Sequence, residues 1–204
     1  MSKKYFISGN GTDVGKTVIS ACLVHALKAD YWKPVQAGDM DSSDSHSIES
    51  LAEENFGTIH STIYSLSQPM SPHAAAKIDG VSIHLDQFDI PKTENHLIIE
   101  GAGGLMVPLN ENETIMDLIK HLNIPLILVC GTYLGSINHS LLSIFEAKRS
   151  GAELSGVIFF GNRNDESERI ILKMSEVQKL GGVYPIEPIS KDNIGYYSQQ
   201  FKNL

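Results

Sequence analysis

The chain alternates short, continuous apolar runs with longer segments whose apolar residues recur at helical spacing. The apolar runs predict strands, and runs that are apolar throughout are typical of parallel strands buried on both faces. These runs are KYFIS, DYWKPV, HLIIEG, PLILVCG, LSGVIFF and GGVYPI. We therefore expect a mostly parallel sheet whose strands are connected by helices.

Helices are expected between these strands, over residues 16–28, 43–55, 114–122, 137–151 and 165–182. Thr114 and Gly151 are the expected caps of two of them. The last segment has a single apolar face formed by Ile170, Ile171, Met174, Val177 and Leu180. Residues 58–93 fit neither pattern clearly. The alternation predicts one doubly wound α/β domain over residues 1–204, with helices on both faces of the sheet.

Composition and charge narrow the class of protein. The 204 residues are 42% hydrophobic and 20% charged, with a formal net charge of −8. An acidic chain repels the nucleic-acid backbone, so we expect no nucleic-acid partner. Cys22 and Cys130 lie in apolar runs and have no metal-ligand spacing. No apolar run is long enough to span a bilayer, and the first residues predict a strand rather than a signal peptide. A cytoplasmic protein that contacts no membrane is the simplest expectation.

A glycine-rich turn, SGNGTDVGKT at residues 8–17, lies between the first strand and the first helix. Such a turn holds phosphates with backbone N–H groups and the helix dipole. Lys16 would reach the β- and γ-phosphates, and the Thr17 hydroxyl would bind Mg²⁺. The usual pattern has glycine five residues before Gly15, where this chain has Asn10. The motif predicts a P-loop NTPase-like fold that binds a nucleoside triphosphate.

Charged residues follow other predicted strands, at the edge where ligands bind in such sheets. Glu100 ends a buried strand and precedes three glycines, so its carboxylate either binds Mg²⁺ or simply faces solvent at the strand end. Asp44 opens a polar helix and is either a second Mg²⁺ ligand or a helix cap. Lys33, kept extended by Pro34, either stabilises developing negative charge or simply extends to solvent.

The segment GTYLGSINHS follows the strand PLILVC. Ser136 is the expected cap of the next helix, which would leave the N–H groups of residues 137–139 for an anion. A capped helix with nothing bound is the alternative.

Together these motifs resemble the dethiobiotin synthetase family. The matching pieces are GNGTDVGKT, WKPVQAG, SSDSHSI, SPHAAA, IIEGAGGLMVPL and LGSINHSLLS, which occur in the family's order between residue 9 and about 143. The resemblance implies a homodimer that uses ATP, Mg²⁺ and CO₂ to close a urea ring on 7,8-diaminononanoate. A carbamate of the substrate would attack the γ-phosphate, and the second amine would then displace phosphate.

The resemblance also implies roles for individual residues. Lys16 and Lys33 would be catalytic, and Thr17, Asp44 and Glu100 would hold Mg²⁺. The substrate would contact Lys33, Ala37, Ser136, Ile137 and Asn138, the last through its carboxylate. The nucleotide would contact Thr12, Asp13, Val14, Gly15, Lys16, Thr17, Val18, Asp44, Glu100, Gly101, Ala102, Gly103, Asn162 and Pro185.

The chain departs from the family's pattern at several positions. The family usually has GTDT where this chain has GNGT, and Ser or Thr where this chain has Ala37. An adenine-contacting asparagine usually follows the strand GVI, where this chain has Phe160. Asn162, two residues later, and the loop at Pro185 are therefore the expected adenine contacts.

Two other functions remain open. One is another P-loop amide or ring synthetase, such as the cobyrinic acid amidase group, whose glutamine amidotransferase domain has no counterpart of sufficient length here. The other is a partitioning-type switch ATPase that acts by binding a partner. Such ATPases usually carry a lysine early in the phosphate loop, where this chain has Ser8, Gly9 and Asn10. Phosphate release that depends on the diamine would distinguish the synthetase from the switch ATPase.

Overall fold

A computed structural model describes residues 2–39, 42–52, 56–184 and 188–204. The strands in these residues are β1 Lys4–Gly9, β2 Asp30–Trp32, β3 Val35–Ala37, β4 Ile59–His60, β5 Tyr64–Leu66, β6 Leu97–Gly104, β7 Leu126–Thr132, β8 Leu154–Gly161 and β9 Lys179–Val183. The helices are α1 Lys16–Leu27, α2 Asp44–Leu51, α3 Pro72–Asp79, α4 Ile115–Leu122, α5 Ser136–Ser150, α6 Asp165–Ser175 and α7 Lys191–Ser198. Short 3₁₀ turns lie at Leu85–Gln87 and Gln199–Phe201.

The described strands form a seven-stranded sheet in the order β4-β2-β6-β1-β7-β8-β9, and all of its pairings are parallel. A separate two-stranded parallel sheet joins β3 and β5. The doubly wound α/β fold predicted from the apolar runs is therefore confirmed. The carboxyl ends of β1, β6 and β7, which neighbour one another, bring their following loops to one edge of the sheet.

Two apolar cores cover the two faces of this sheet. Alternate strand residues point to opposite faces, so Phe6 belongs to one core and Ile7 to the other. Buried residues of α3, α4, α5 and α6 pack in the first core, and those of α1, α2 and α7 pack in the second. None of the helices in the described ranges is long and apolar enough to cross a membrane.

Several predicted helix ends are observed. Thr114 caps α4 in a reciprocal arrangement with Asp117, and Gly151 ends α5 in the left-handed conformation. Ser43 accepts a hydrogen bond from the His46 backbone N–H at the start of α2. The predicted end of that helix at Asn55 lies outside the described residues.

Other predicted elements are wrong in their bounds. The helix predicted over residues 165–182 ends at Ser175, because Glu176 takes a left-handed conformation and the chain then enters β9 at Lys179. Val177 and Leu180 continued the helical spacing by coincidence. The predicted strand DYWKPV is divided at Pro34, with β2 in the main sheet and β3 in the small one. A proline has no N–H to donate to a ladder.

A buried carboxylate fixes the amino end of β2. Asp30 is 2% exposed, and its oxygens accept from the Thr58 backbone N–H at 2.8 Å and from Asn95 Nδ2 at 2.9 Å. His60 Nε2 lies 2.9 Å from the other oxygen. Burial alone would raise the pKa of Asp30, but these hydrogen bonds and one from Thr93 outweigh it and lower the pKa.

Candidate active site at the carboxyl ends of the strands

The phosphate loop, residues 10–17, joins β1 to α1. Gly15 precedes the helix with φ 88°, a left-handed conformation that suits glycine. A Cβ on Gly15 would lie 2.2 Å from the Phe160 ring, so a side chain there would also clash. Lys16 is 8% exposed, and its Nζ donates to the Gly11 carbonyl oxygen at 3.1 Å. Burial lowers the pKa of Lys16 and outweighs the nearby Glu100 carboxylate, which by itself would raise that pKa.

Three oxygen-bearing side chains predicted as metal ligands converge beside this loop. Thr17 Oγ1 lies 2.8 Å from Asp44 Oδ1 and 3.0 Å from Glu100 Oε1. The hydroxyl has one proton and can donate to only one carboxylate at a time. The group therefore has more oxygen lone pairs than protons, which suits a cation that prefers oxygen ligands. Across the described residues, no group of three or more His, Cys, Asp or Glu side chains is placed to hold a metal ion.

Lys33 supplies positive charge to the same group. Its Nζ lies 2.5 Å from Asp44 Oδ2 and 3.2 Å from Glu100 Oε1, and it donates to the Gly101 carbonyl oxygen at 3.2 Å. Burial alone would lower the pKa of Lys33, but the two carboxylates outweigh burial and raise it. Burial likewise opposes ionisation of Asp44, yet the Lys33 charge lowers its pKa. Lys33 is therefore a fixed ammonium group rather than a proton acceptor.

Two further side chains hold this group in place and were not predicted from the sequence. The Tyr31 hydroxyl donates to Glu100 Oε2 at 3.0 Å, and burial together with Glu100 raises the pKa of Tyr31 well above its usual value. Gln36 Oε1 accepts from the Asp44 backbone N–H at 3.4 Å, while its Nε2 donates to the Gly38 carbonyl oxygen at 3.0 Å. Gln36 thereby positions the first residue of α2.

The glycine-rich end of β6 packs against the phosphate loop. A Cβ on Gly103 would lie 3.6 Å from Thr12 Oγ1, and Gly104 pairs with Gly9 of β1. Ala102 packs against the first core. Of the loop's other predicted nucleotide contacts, Asp13 is exposed, Val14 is buried in the second core, and Val18 packs against that core.

A cavity of about 760 Å³ opens beside the starts of α5 and α6. Its lining includes Ile137 and Asn138, predicted for the substrate, and Asn162, predicted for adenine. Phe160 instead packs on the phosphate loop at Gly15. The structure thus brings Asn138 and Asn162, which are 24 positions apart in the sequence, to one cavity.

Ser136, Ala37 and Pro185 are the remaining predicted contacts. Ser136 is not the cap of α5, because Gly135 occupies the cap position with φ 96° and Ser136 is the first helical residue, 3% exposed. Ala37 ends β3 in the small sheet, where it pairs with Leu66. Pro185 lies outside the described residues.

Comparisons with known proteins identify relatives along almost the whole chain. Residues 3–193 match a family model described as an AAA domain. The ATP-dependent dethiobiotin synthetase of Christiangramia forsetii is 46% identical over 202 residues, which cover 99% of this chain and 97% of that protein. The enzyme of the same name from Cytophaga hutchinsonii is 49% identical, with 96% of this chain and 95% of that protein covered.

Solved structures with a similar fold are much more distant in sequence. A putative plasmid partition protein from Borrelia burgdorferi bound to AMPPNP aligns with a TM-score of 0.59 at 11% identity, over 99% of this chain and 98% of that one. A ParA family ATPase from Chlorobium tepidum aligns with a TM-score of 0.55 at 14% identity, over 99% and 92%. These matches support the α/β fold class and carry no functional argument.

Proposed function

The chain belongs to the dethiobiotin synthetase family of ATP-dependent ring-closing ligases, and we propose that the strand-end site described above closes the ureido ring of dethiobiotin. The proposed substrates are 7,8-diaminononanoate, CO₂ and ATP. The observation that carries the proposal is the buried group of Lys33, Asp44 and Glu100 joined through Thr17 to the phosphate loop.

The two lysines would stabilise charge on the transferring phosphoryl group. In the proposed sequence, one substrate amine and CO₂ form a carbamate, whose oxygen attacks the γ-phosphorus of ATP and releases ADP. The second amine then attacks the carbamoyl carbon, closes the ring and releases phosphate. Lys33 Nζ remains protonated because its pKa is raised, so it supplies charge to the carbamate and phosphoryl oxygens. Positioning and electrostatics suffice for such a transfer without a protein nucleophile.

Mg²⁺ is the proposed metal. The donor set fits it, because Asp44 and Glu100 each place a carboxylate oxygen within 3.0 Å of the Thr17 hydroxyl and share its one proton. When bound, Mg²⁺ would neutralise charge on the phosphate oxygens. Tyr31 and Gln36 would keep the two carboxylates oriented toward it.

A homodimer would explain the apolar surface at the start of α5. Large apolar side chains are exposed on this helix and on the loop before it, at Leu134, Ile137, Leu142 and Phe145. Exposed apolar patches mark interaction surfaces. We propose that this surface faces a second copy of the chain and that Asn138 serves the partner's site.

The cellular setting and partners follow from the same proposal. A small diamine and CO₂ are its small-molecule partners, and a cytoplasmic enzyme would have access to ATP. Cys22 and Cys130 are unpaired and buried, as expected of a chain that needs no disulfide. The net charge of −8 supports the absence of a nucleic-acid partner.

The decisive experiment measures phosphate release from ATP by the purified protein, with bicarbonate and Mg²⁺, in the presence and absence of 7,8-diaminononanoate. We expect release to depend on the diamine and to match the formation of dethiobiotin one to one. Release that is unaffected by the diamine would favour a switch ATPase and overturn the proposal.

A further inference from the structure

Asn10 occupies a position between the phosphate loop and the neighbouring strand β7. It is the first residue after β1 and is 8% exposed. Its backbone N–H donates to the Val129 carbonyl oxygen at 3.0 Å. Its side-chain Oδ1 accepts from the Gly131 backbone N–H at 3.1 Å, and its Nδ2 lies 3.4 Å from the Gly131 carbonyl oxygen. The side chain thus continues the pairing of β1 with β7 beyond the end of β1.

The same carboxamide reaches helix α5. Asn10 Nδ2 donates to Ser140 Oγ at 3.0 Å, across 130 positions of sequence. Ser140 is fully buried, and its hydroxyl partly offsets the rise that burial causes in the pKa of the neighbouring Cys130 thiol. One buried side chain therefore contacts three elements: the phosphate loop, the end of β7 and the second turn of α5.

This arrangement links two parts of the proposed site. The loop that begins at Asn10 carries Lys16 and Thr17. Ser140 lies on the helix that carries Ile137 and Asn138 into the cavity, three and two residues earlier. An α-helix is rigid over one turn, so a displacement of Ser140 displaces Asn138 with it.

Packing alone does not require a carboxamide at this place. Burying a polar side chain costs free energy unless its hydrogen bonds are made. An apolar side chain would fill the same space and would need no hydrogen-bond partners. The bonds that Asn10 makes are directional, and each has its partner on another element. They fix a relative position, which is what buried polar networks contribute beyond packing.

We propose that Asn10 is a positioning residue that fixes the phosphate loop relative to the first turn of α5, so that binding of ATP and binding of the substrate's carboxylate favour each other. The inference rests on the proposed function, in which the loop binds ATP and Asn138 meets the carboxylate. In a shared-site dimer, the coupling passes from the ATP of one site to the substrate of the other.

The test compares Asn10→Ala, Ser140→Ala and the double variant with the wild type. Ser150→Ala is the matched control, because Ser150 lies at the far end of α5 and bonds to Met116 and Ala147. For each protein, the Kd of a fluorescent non-hydrolysable ATP analogue is measured by titration with and without saturating diamine, in Mg²⁺ buffer. The ratio of the two Kd values is the coupling, and linkage requires the same ratio when the Kd of the diamine is measured with and without nucleotide.

We expect the wild type and Ser150→Ala to show a coupling of about 5-fold or more, as is typical of linked sites. Ser140→Ala should bring the ratio close to one while the Kd of the analogue alone changes less than about 2-fold. Asn10→Ala should abolish the coupling and also weaken binding of the analogue alone, since Gly131 then loses its hydrogen bonds to the loop. The double variant should have the same ratio as either single variant, because both substitutions remove the same hydrogen bond between Asn10 and Ser140. A purely structural role would lower the melting temperature and leave the ratio unchanged.

Two outcomes would overturn the inference. One is a wild-type ratio retained in folded Ser140→Ala, which decides the matter even where Asn10→Ala folds poorly. The other is a result of a second experiment, which is needed if the wild type shows no diamine-dependent turnover and the proposed function itself has failed. Amide hydrogen exchange of residues 136–140 then replaces the diamine as readout: the ATP analogue should slow it in the wild type and not in Ser140→Ala. Equal exchange in both proteins would refute the positioning role independently of the reaction.

Discussion

Lys33→Met tests whether the ammonium of Lys33 compensates the buried carboxylate of Glu100. Methionine has a similar length and no charge, so the substitution leaves Glu100, which is 1% exposed, without its ion pair. The Tyr31 hydroxyl would still donate to Glu100 Oε2, and the Thr17 hydroxyl can still donate to Glu100 Oε1. Asp44, the other partner, has a side chain 30% exposed and can be hydrated.

The expected magnitude follows from this difference in burial. Removing one partner of a buried ion pair costs about 3–5 kcal/mol, because the remaining charge is uncompensated. Only one of the two carboxylates is fully buried, so we expect the low end, about 3 kcal/mol. Glu100→Gln keeps a polar side chain and leaves Lys33 paired with Asp44, so it should cost about 1–2 kcal/mol. The double variant has no buried unpaired charge. Its free energy of unfolding should therefore be about 2 kcal/mol higher than the sum of the two single-variant losses predicts.

The assay is urea unfolding of all four proteins without nucleotide or Mg²⁺, at one fixed protein concentration because a dimer's stability depends on it. A thermal melt should show Lys33→Met lowered by roughly 6–12 °C. Lys92→Met, at an exposed position, is the control and should change the free energy of unfolding by less than about 0.5 kcal/mol. If the changes in free energy of unfolding caused by Lys33→Met and Glu100→Gln add to that of the double variant within about 0.5 kcal/mol, Lys33 does not compensate the charge of Glu100.

Four further outcomes are expected. Lys16→Ala should reduce kcat/KM roughly 10²- to 10³-fold while the protein stays folded, and near-normal turnover would exclude Lys16 from the phosphoryl transfer. Asp44→Asn should raise the Mg²⁺ concentration needed for half-maximal turnover, and an unchanged titration would remove Asp44 from the metal site. Mixing inactive Lys16→Ala with inactive Asn138→Trp should restore activity in exchanged dimers, because one of the two sites then carries neither lesion; verified exchange without recovery would rule out a shared site. The lowered pKa of Asp30 stabilises the fold above the pKa of an unfolded aspartate, and this contribution is lost as the pH falls through the folded value. The stability difference between wild type and Asp30→Asn should therefore be about 1–3 kcal/mol at pH 7 and shrink below about pH 4; a difference independent of pH would contradict this.

The sequence was most informative where one local pattern decided the structure. The strands β1, β6, β7 and β8 are apolar runs buried by helices on both faces, so their composition alone predicts them. Residues 58–93 form β4, β5, α3 and a 3₁₀ turn, each at most eight residues long. Such short elements are stabilised by tertiary contacts, which no local pattern records. The helix predicted over residues 165–182 is too long for the opposite reason, since helical spacing continues by chance into β9.

The candidate site shows the same division. Lys16 and Thr17 are identified by a contiguous motif, whereas a link between Lys33 and Asp44 had to come from the family resemblance. Tyr31 was missed because its position in a strand indicates only burial, and its partner Glu100 is 69 positions away. Gln36 was part of a quoted motif, but its bond to the start of α2 depends on how two elements are folded together.

The contact between Gly15 and Phe160 has a consequence for sequence change in this protein. Gly15 is restricted both by its left-handed backbone and by a ring supplied from 145 positions away. Shrinking Phe160 would open space for a methyl group at position 15 without relieving the backbone. Variation at the two positions should therefore be asymmetric: a randomised library selected for function should accept several residues at 160 and return glycine at 15. Directed evolution of this enzyme would accordingly begin at Phe160, where the protein can change without altering the start of α1.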